Sequence, residues 1–169
     1  MSGTFEYAKV FERNMDRGSN APDAADFMKR LYEDGGQTTV NFYPADEDEY
    51  AKLTSTGWVP LGKATMGNNL LREGNPEFGI GKFIVFKRKV KCPFPTQNGK
   101  VPDWKAFPDV IDKTGEEMVP WDEDNDIGNG TKGIIKVSVY QANGGFATRL
   151  EALAIEEHVP YEADGGFGF

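Results

Sequence analysis

Strands are predicted along much of the chain by the alternation of apolar and polar residues. This alternation occurs at 5–11, 38–43 and 82–91, and in two hairpins at 110–119 and 133–158, the second turning at Asn143-Gly144-Gly145. Helical spacing of apolar residues is confined to 22–34, which ends at Gly35-Gly36, and to 44–53, which has acidic residues in its first turn. Five to seven strands without strand–helix alternation predict a mainly β protein, either a small Greek-key barrel or a sandwich.

Chain length is consistent with one domain, because 169 residues can bury a core of ordinary size. We expect this domain to cover residues 1–158. Residues 159–169 have too few apolar side chains to pack, so they predict a disordered acidic tail that ends in Phe169. The single cysteine excludes an internal disulfide, and no apolar run approaches the length of a membrane helix. These features predict a cytoplasmic protein that does not enter a membrane.

Charge is unevenly distributed along the chain, although its sum of −8 argues against an acidic partner. Segment 82–91 carries five basic residues and no acid, whereas 116–126 carries six acids and no base. After Arg149 the chain has acids but no Lys or Arg. A basic strand in an acidic protein predicts a local site for a polyanion.

The basic strand also carries aromatic rings, and this combination suits single-stranded nucleic acid. Positive charge neutralises phosphates, while flat rings stack on unpaired bases and tolerate any base sequence. Alternation places Phe83 and Lys87 on one face and Phe86 and Arg88 on the other. Which face is buried stays open, since a slip of one residue would exchange the two. A strand with an ordinary solvated basic face is the alternative.

A long loop, 93–108, follows this strand and contains Phe94 and Trp104 next to Lys105. The loop could clamp bases between its rings. Alternatively, it covers one end of the barrel with its own side chains.

Enzyme and metal motifs are incomplete in this sequence. Residues 122–133 begin like a calcium loop, but Ile127 and Gly133 stand where glycine and glutamate are required. His158 is the only histidine, which excludes a histidine-based triad or a multi-histidine metal site. We therefore expect a protein that is not an enzyme and that needs no metal or other cofactor.

Several segments, taken in order, resemble the replication single-stranded DNA-binding proteins of short-tailed phages. These are 7–16, the basic strand 82–91, the hairpin start 108–112, and Ile127-Gly128-Asn129-Gly130-Thr131 leading into 136–140. The tail 162–169 is similar to the acidic, Phe-ended tails of this family. The resemblance implies a five-stranded Greek-key OB-fold barrel with one or two inserted helices. It also implies a protein that coats unpaired DNA during replication, recombination and repair.

The DNA-binding residues expected on these grounds are basic or aromatic, and they fall on the basic strand, the aromatic loop and neighbouring strands. They are Lys82, Phe83, Phe86, Lys87, Arg88, Lys89, Lys91, Phe94, Trp104, Lys105, Lys132, Lys136, Tyr140 and Arg149. The tail residues expected to dock a polymerase or helicase, and to compete with DNA for the groove, are Glu162, Asp164, Phe167 and Phe169. The resemblance also raises the prospect of a homodimer.

Two other kinds of protein fit the same sequence. One is a binding module for oligosaccharide or peptide, which would use the rings but would have little need for five basic residues. The other is a phage structural or assembly protein without DNA affinity. The response of binding to salt separates these from a DNA-binding protein, since only binding to phosphates depends steeply on salt.

Overall fold

A computed structural model of the chain describes residues 1–18, 26–56, 71–94, 98–100, 102–142 and 145–162. These residues form two helices and eight strands. In chain order the elements are β1 (Ser2–Lys9), α1 (Asp26–Glu33), β2 (Gln37–Pro44), α2 (Glu47–Thr54), β3 (Arg72–Glu73), β4 (Lys82–Lys89), β5 (Asp109–Asp112), β6 (Val119–Pro120), β7 (Thr131–Ala142) and β8 (Gly145–Glu157). The mainly β class and the two early helices are therefore confirmed.

The eight strands form one sheet in the order β3-β4-β2-β1-β7-β8-β5-β6. All neighbours pair antiparallel except β5 and β8, which are parallel. Within the described ranges the two ends of this order, β3 and β6, do not pair with each other, so the sheet is not a closed barrel. The expected five-stranded OB barrel is not confirmed, because the short strands β3, β5 and β6 extend the sheet beyond it.

One face of the sheet carries the hydrophobic core. Phe5 of β1, Phe42 of β2 and Phe86 of β4 are fully buried, and their rings form a row with centroid separations of 5.7 and 6.2 Å. The aliphatic side chains Leu150, Leu153 and Ile155 of β8 belong to the same core. Burying a side chain of this size contributes about 1.5–3 kcal/mol, so this row fixes which face of each strand points inward.

The two faces of β4 are assigned by its pairing with β2. Val40 pairs with Phe86 on the buried face, and Thr39 pairs with Lys87 on the outer face. Strand alternation then places Lys89 outward with Lys87. Because Phe86 packs against Phe42, the basic strand can present only one of its two faces to a ligand.

Helix α2 differs from its sequence-based bounds at its start. For α2 the start moves from Pro44 to Glu47, because Pro44 ends β2 and Asp46 caps the helix, accepting a hydrogen bond from the Glu49 amide at 2.8 Å. The expected start of α1 at 22 lies outside the described residues. Helix α1 ends at Glu33, and Gly36 closes the turn that follows, with a φ of +87° that favours glycine and an amide that donates to the Leu31 carbonyl at 2.9 Å.

Both predicted hairpins are present. Asp112 pairs with Val119 in the first, and β7 pairs with β8 along nearly their full length in the second. Beyond β8, Pro160 pairs with Ile127, so the chain is tied to the sheet past residue 158. Residues 163–169 lie outside the described residues, and the disordered tail remains a prediction.

Candidate nucleic-acid interface

A groove of about 1240 Å³ lies on the outer side of β4. One wall is formed by α1, the floor by β4 and by Arg72 of β3, and the other wall by Trp104 with Tyr140 of β7 and Arg149 of β8. The pairing of β3 with β4 brings Arg72 to the floor, opposite Phe83 in register. The groove is therefore assembled from segments that are far apart in the sequence.

Basic residues dominate the lining of this groove. Its acidic lining residues are Glu33 and Asp34, and Asp34 pairs with Lys91 at 3.1 Å. On the floor, Arg72, Lys87 and Lys89 have no hydrogen bond or ion pair from their side chains to any part of the chain that the structure describes. The basic lining residues are Arg30, Arg72, Lys87, Arg88, Lys89, Lys91 and Arg149. Among the described lining residues, positive charge therefore exceeds negative charge, which suits an anionic ligand.

Lys87 is half-buried at the groove floor. Burial lowers the pKa of its ammonium group, and the nearby guanidinium of Arg72 lowers this pKa further, while the carboxylate of Asp16 opposes both effects. An anion bound beside Lys87 would offset part of the cost of burying this ammonium group.

Three aromatic rings surround the guanidinium of Arg149 at the end of the groove. Its Cζ atom lies 4.5 Å from the ring centre of Tyr140 and 5.0 Å from those of Phe94 and Trp104. Phe94 and Trp104 meet edge to face at 5.8 Å, and the Trp104 indole N–H donates to the Lys89 carbonyl at 3.0 Å. The loop that carries Trp104 is thereby held against β4. Phe94 and Tyr140 remain about 40% exposed, so their rings are available to a ligand.

Two of the expected DNA-binding residues are buried. Phe86 is a core residue with no exposed surface, so its assignment as a stacking residue is wrong. Arg88 is 5% exposed, and its guanidinium donates to the carbonyls of Lys105 at 2.6 Å and Leu150 at 3.1 Å. It also contacts the Glu151 carboxylate at 3.3 Å and the Trp104 ring at 4.4 Å. Arg88 borders the groove, but it is buried and its Nε and Nη1 donors are engaged within the protein, so it serves as a support for Trp104.

Other expected residues do not line the groove. Lys82 pairs with Glu73 at 3.7 Å, Lys132 with Glu157 at 3.8 Å, and Lys105 with Asp109. Phe83 packs on Tyr43 with ring centres 5.3 Å apart, and Lys136 is exposed on β7 away from the groove. The groove does bring together seven of the fourteen expected residues, namely Lys87, Arg88, Lys89, Lys91, Trp104, Tyr140 and Arg149, with Phe94 at its border.

Arg30 and Arg72 line the groove but are not among the expected residues. Arg30 follows the apolar stripe of α1, and Arg72 lies in a glycine- and asparagine-rich stretch of weak pattern. No local signal marks either residue, because both reach the groove through the packing of distant elements. Thr148, also in the lining, is buried, and its hydroxyl has no hydrogen-bond partner among the described residues.

Acidic residues are concentrated elsewhere. The segment 116–126 follows β5 and passes through β6, at the opposite end of the sheet order from β3 and β4. Glu116, Glu117, Glu123 and Asp124 are exposed there, while Asp126 pairs with Arg13. The net charge of −8 and the basic groove are therefore compatible.

Most of the expected tail residues fall outside the part of the chain that the structure describes. Glu162 is exposed, whereas Asp164, Phe167 and Phe169 lie outside the described residues. In the described ranges, no three His, Cys, Asp or Glu side chains are grouped closely enough to hold a metal ion. No helix in these ranges has the length and apolar character needed to cross a membrane.

No family model matches the chain, and no curated protein matches it. Among solved structures, the chain is similar to a C-terminal truncation of the single-stranded DNA-binding protein from bacteriophage Enc34. The TM-score is 0.45 and the sequence identity is 10%, over 95% of this chain and 85% of that one. This similarity is distant, so function has to be inferred from the groove itself.

Proposed function

We propose that this protein binds single-stranded DNA in the groove on the outer side of β4, without preference for base sequence. One observation carries the proposal: unpaired cations and exposed aromatic rings line the same groove. Phosphates bind to cations, and unpaired bases stack on aromatic rings. Neither an ordinary protein partner nor duplex DNA requires both together.

In the proposed complex the two kinds of group have separate roles. Arg72, Lys87 and Lys89 on the floor neutralise phosphates along the strand. Tyr140 and Trp104 stack on bases at the far end, each stack contributing about 1–3 kcal/mol. Since every base has a flat face, this arrangement tolerates any sequence. Binding is stoichiometric, and we propose no catalysis and no cofactor.

The wider biological role is also a proposal. The resemblance of the sequence to phage replication proteins supports a role in coating unpaired DNA during replication, recombination and repair in the host cytoplasm. The acidic tail, including Glu162, Asp164 and Phe169, would compete with DNA for the basic groove and dock a polymerase or helicase. Its acids and its lack of any base support the first of these roles.

The direct test is the affinity for a labelled single-stranded oligonucleotide and for its duplex at several salt concentrations. We expect much tighter binding to the single strand, because the rings can stack only on unpaired bases. With three to five phosphates neutralised, log affinity should fall with log salt at a slope between about −2 and −3.5. Equal affinity for the duplex would contradict the proposal. A flat response to salt would favour an oligosaccharide- or peptide-binding module instead.

Tryptophan fluorescence identifies the groove as the place of binding. Single-stranded DNA should quench the emission of Trp104, because a stacked base contacts this ring. The variant Trp104→Phe should lose most of the quenching. Trp121→Phe is the matched control, since Trp121 is a core residue with 8% exposure and should leave the quenching unchanged.

A further inference from the structure

A second aromatic feature lies outside the groove, at a distortion of β1. Pairing of β1 with β2 shifts register between Glu6 and Lys9, so that two residues of β1 occupy the place of one. Bulges of this kind redirect side chains and are common beside functional sites. Here the bulge keeps Ala8 in the core and leaves Tyr7 with 59% of its surface exposed.

Tyr7 has an unfavourable backbone conformation for a tyrosine. Its φ is +48°, a region in which glycine is the usual residue at a bulge. Side chains other than glycine are retained in such conformations chiefly where the surrounding structure enforces them, often at functional sites. A large exposed ring at this position is therefore unexplained by packing or by backbone preference.

The Ile127-Gly128-Asn129-Gly130-Thr131 segment holds this conformation in place. The side-chain carbonyl of Asn129 accepts a hydrogen bond from the Tyr7 amide at 2.7 Å, and the Gly130 amide donates to the Phe5 carbonyl at 3.0 Å. Gly130 has a φ of +96°, which permits this close turn. The most distinctive motif of the sequence thus clamps β1 on both sides of Glu6.

A row of residues connects this bulge with the groove. Lys9 of β1 pairs with Thr39 of β2, and Thr39 pairs with Lys87 of β4. Paired residues share one face of a sheet, so the two lysines lie on the outer face about 10 Å apart, two inter-strand spacings. Lys9 is exposed and has no ion pair with any described residue. Glu6, the neighbouring acid, accepts hydrogen bonds from Asn41 at 3.2 Å and Tyr43 at 3.0 Å, which hold its carboxylate against β2.

From this continuity we infer that Tyr7 and Lys9 form a second stacking subsite for the strand of DNA bound in the groove. The strand leaves the floor at Lys87, passes Thr39, meets Lys9 with a phosphate and stacks a base on Tyr7. Asn129 is a positioning residue, since it fixes the backbone from which the ring projects. The inference rests on the proposed function and extends its site across β2 to β1.

The test uses Tyr7→Gly, because glycine accepts a positive φ and keeps the bulge while removing the ring. We expect about five- to a hundredfold weaker binding to a long oligo(dT), from the loss of one stack, with no change in salt slope. A short oligo(dT) that fills only the groove should bind to Tyr7→Gly as tightly as to the wild-type protein. Tyr7→Phe should retain full affinity. Met118→Gly is the matched control, since Met118 is also exposed, at 68%, and lies between β5 and β6 at the other end of the sheet order, so its loss should not alter binding.

Asn129→Ala should reproduce part of the Tyr7→Gly loss without removing the ring. A photoreactive phenylalanine at position 7 should cross-link to long oligo(dT), and one at position 118 should not. Undiminished binding of long oligo(dT) by Tyr7→Gly, or no cross-link at position 7, would overturn the subsite while leaving the groove intact. Absence of any binding to single-stranded DNA by the wild-type protein would overturn the proposed function, and the subsite with it.

Discussion

Lys87 and Arg88 are consecutive residues of β4, yet their side chains lie on opposite faces of the sheet and have different partners. Lys87 points into the groove and has no ion pair or hydrogen bond within the described structure. Arg88 points inward, where two backbone carbonyls and the Glu151 carboxylate accept its hydrogen bonds. Of two consecutive basic residues, one side chain is thus accessible from the groove and the other supports the fold.

The contrast extends to the rest of the molecule. On the groove floor, Arg72, Lys87 and Lys89 form no ion pair with any described residue, whereas Lys82, Lys105 and Lys132 outside the groove each pair with an acid. An exposed ion pair contributes little to stability, about 0–1 kcal/mol, but it engages the charge that a phosphate would need. Lys136 forms no ion pair with any described residue and yet lies outside the groove, so pairing and position together decide which cations are open to a phosphate.

The largest effect is expected from Arg88→Ala, and it should fall on stability. Removing the guanidinium leaves the Lys105 and Leu150 carbonyls and Glu151 without their donor in a buried place. Such losses cost about 2–4 kcal/mol in the free energy of unfolding. Urea denaturation measures this change. Lys87→Ala is the control and should alter the free energy of unfolding by less than about 0.5 kcal/mol. Equal losses in both variants would remove the distinction between the two faces.

Much of the architecture could be predicted from local patterns. Alternation locates β4 and the two hairpins, while Asp46 and Gly36 follow ordinary rules for helix ends. The parallel pairing of β5 with β8 could not be predicted, because parallel strands that are not consecutive have no local signature. That pairing extends the sheet beyond the expected barrel.

The groove could be predicted only in part, for a related reason. Both faces of β4 carry one phenylalanine and at least one basic residue, so the sequence does not say which face is inside. The packing of Phe86 on Phe42 decides it. Arg72 reaches the floor only because β3 pairs with β4, and Arg149 meets Trp104 only in three dimensions. The residue types predicted that the site combines cations with aromatic rings. Which of the candidate residues line the groove follows only from the tertiary structure.

A smaller effect is expected from Lys87→Ala, and it should fall on DNA binding. Loss of one phosphate contact should weaken the affinity for single-stranded DNA roughly five- to tenfold and make the salt slope shallower by about 0.7. Lys132→Ala is the matched control: Lys132 is paired with Glu157 and lies outside the groove, so its loss should change affinity less than about twofold. Titrations at four salt concentrations give both quantities. An equal change of slope in the two variants would show that position in the groove does not matter.

The smallest effect concerns the protonation of Lys87. Burial and Arg72 lower the pKa of Lys87 below the ordinary lysine value of 10.5, with Asp16 opposing. The ammonium form, which would bind phosphate, is therefore lost at a lower pH than in the unfolded chain. For stability the sign is opposite, because the unfolded chain holds this proton to higher pH, so raising the pH through the lowered pKa favours the folded state.

We expect the affinity of wild type for single-stranded DNA to fall as pH rises from about 7 toward 10.5, by less than the loss caused by Lys87→Ala. Lys87→Arg should show a weaker fall, since a guanidinium keeps its proton throughout this range. Affinities of the two proteins measured in parallel isolate Lys87 from the other groups that titrate there, and identical pH profiles would mean that Lys87 does not contact the phosphate.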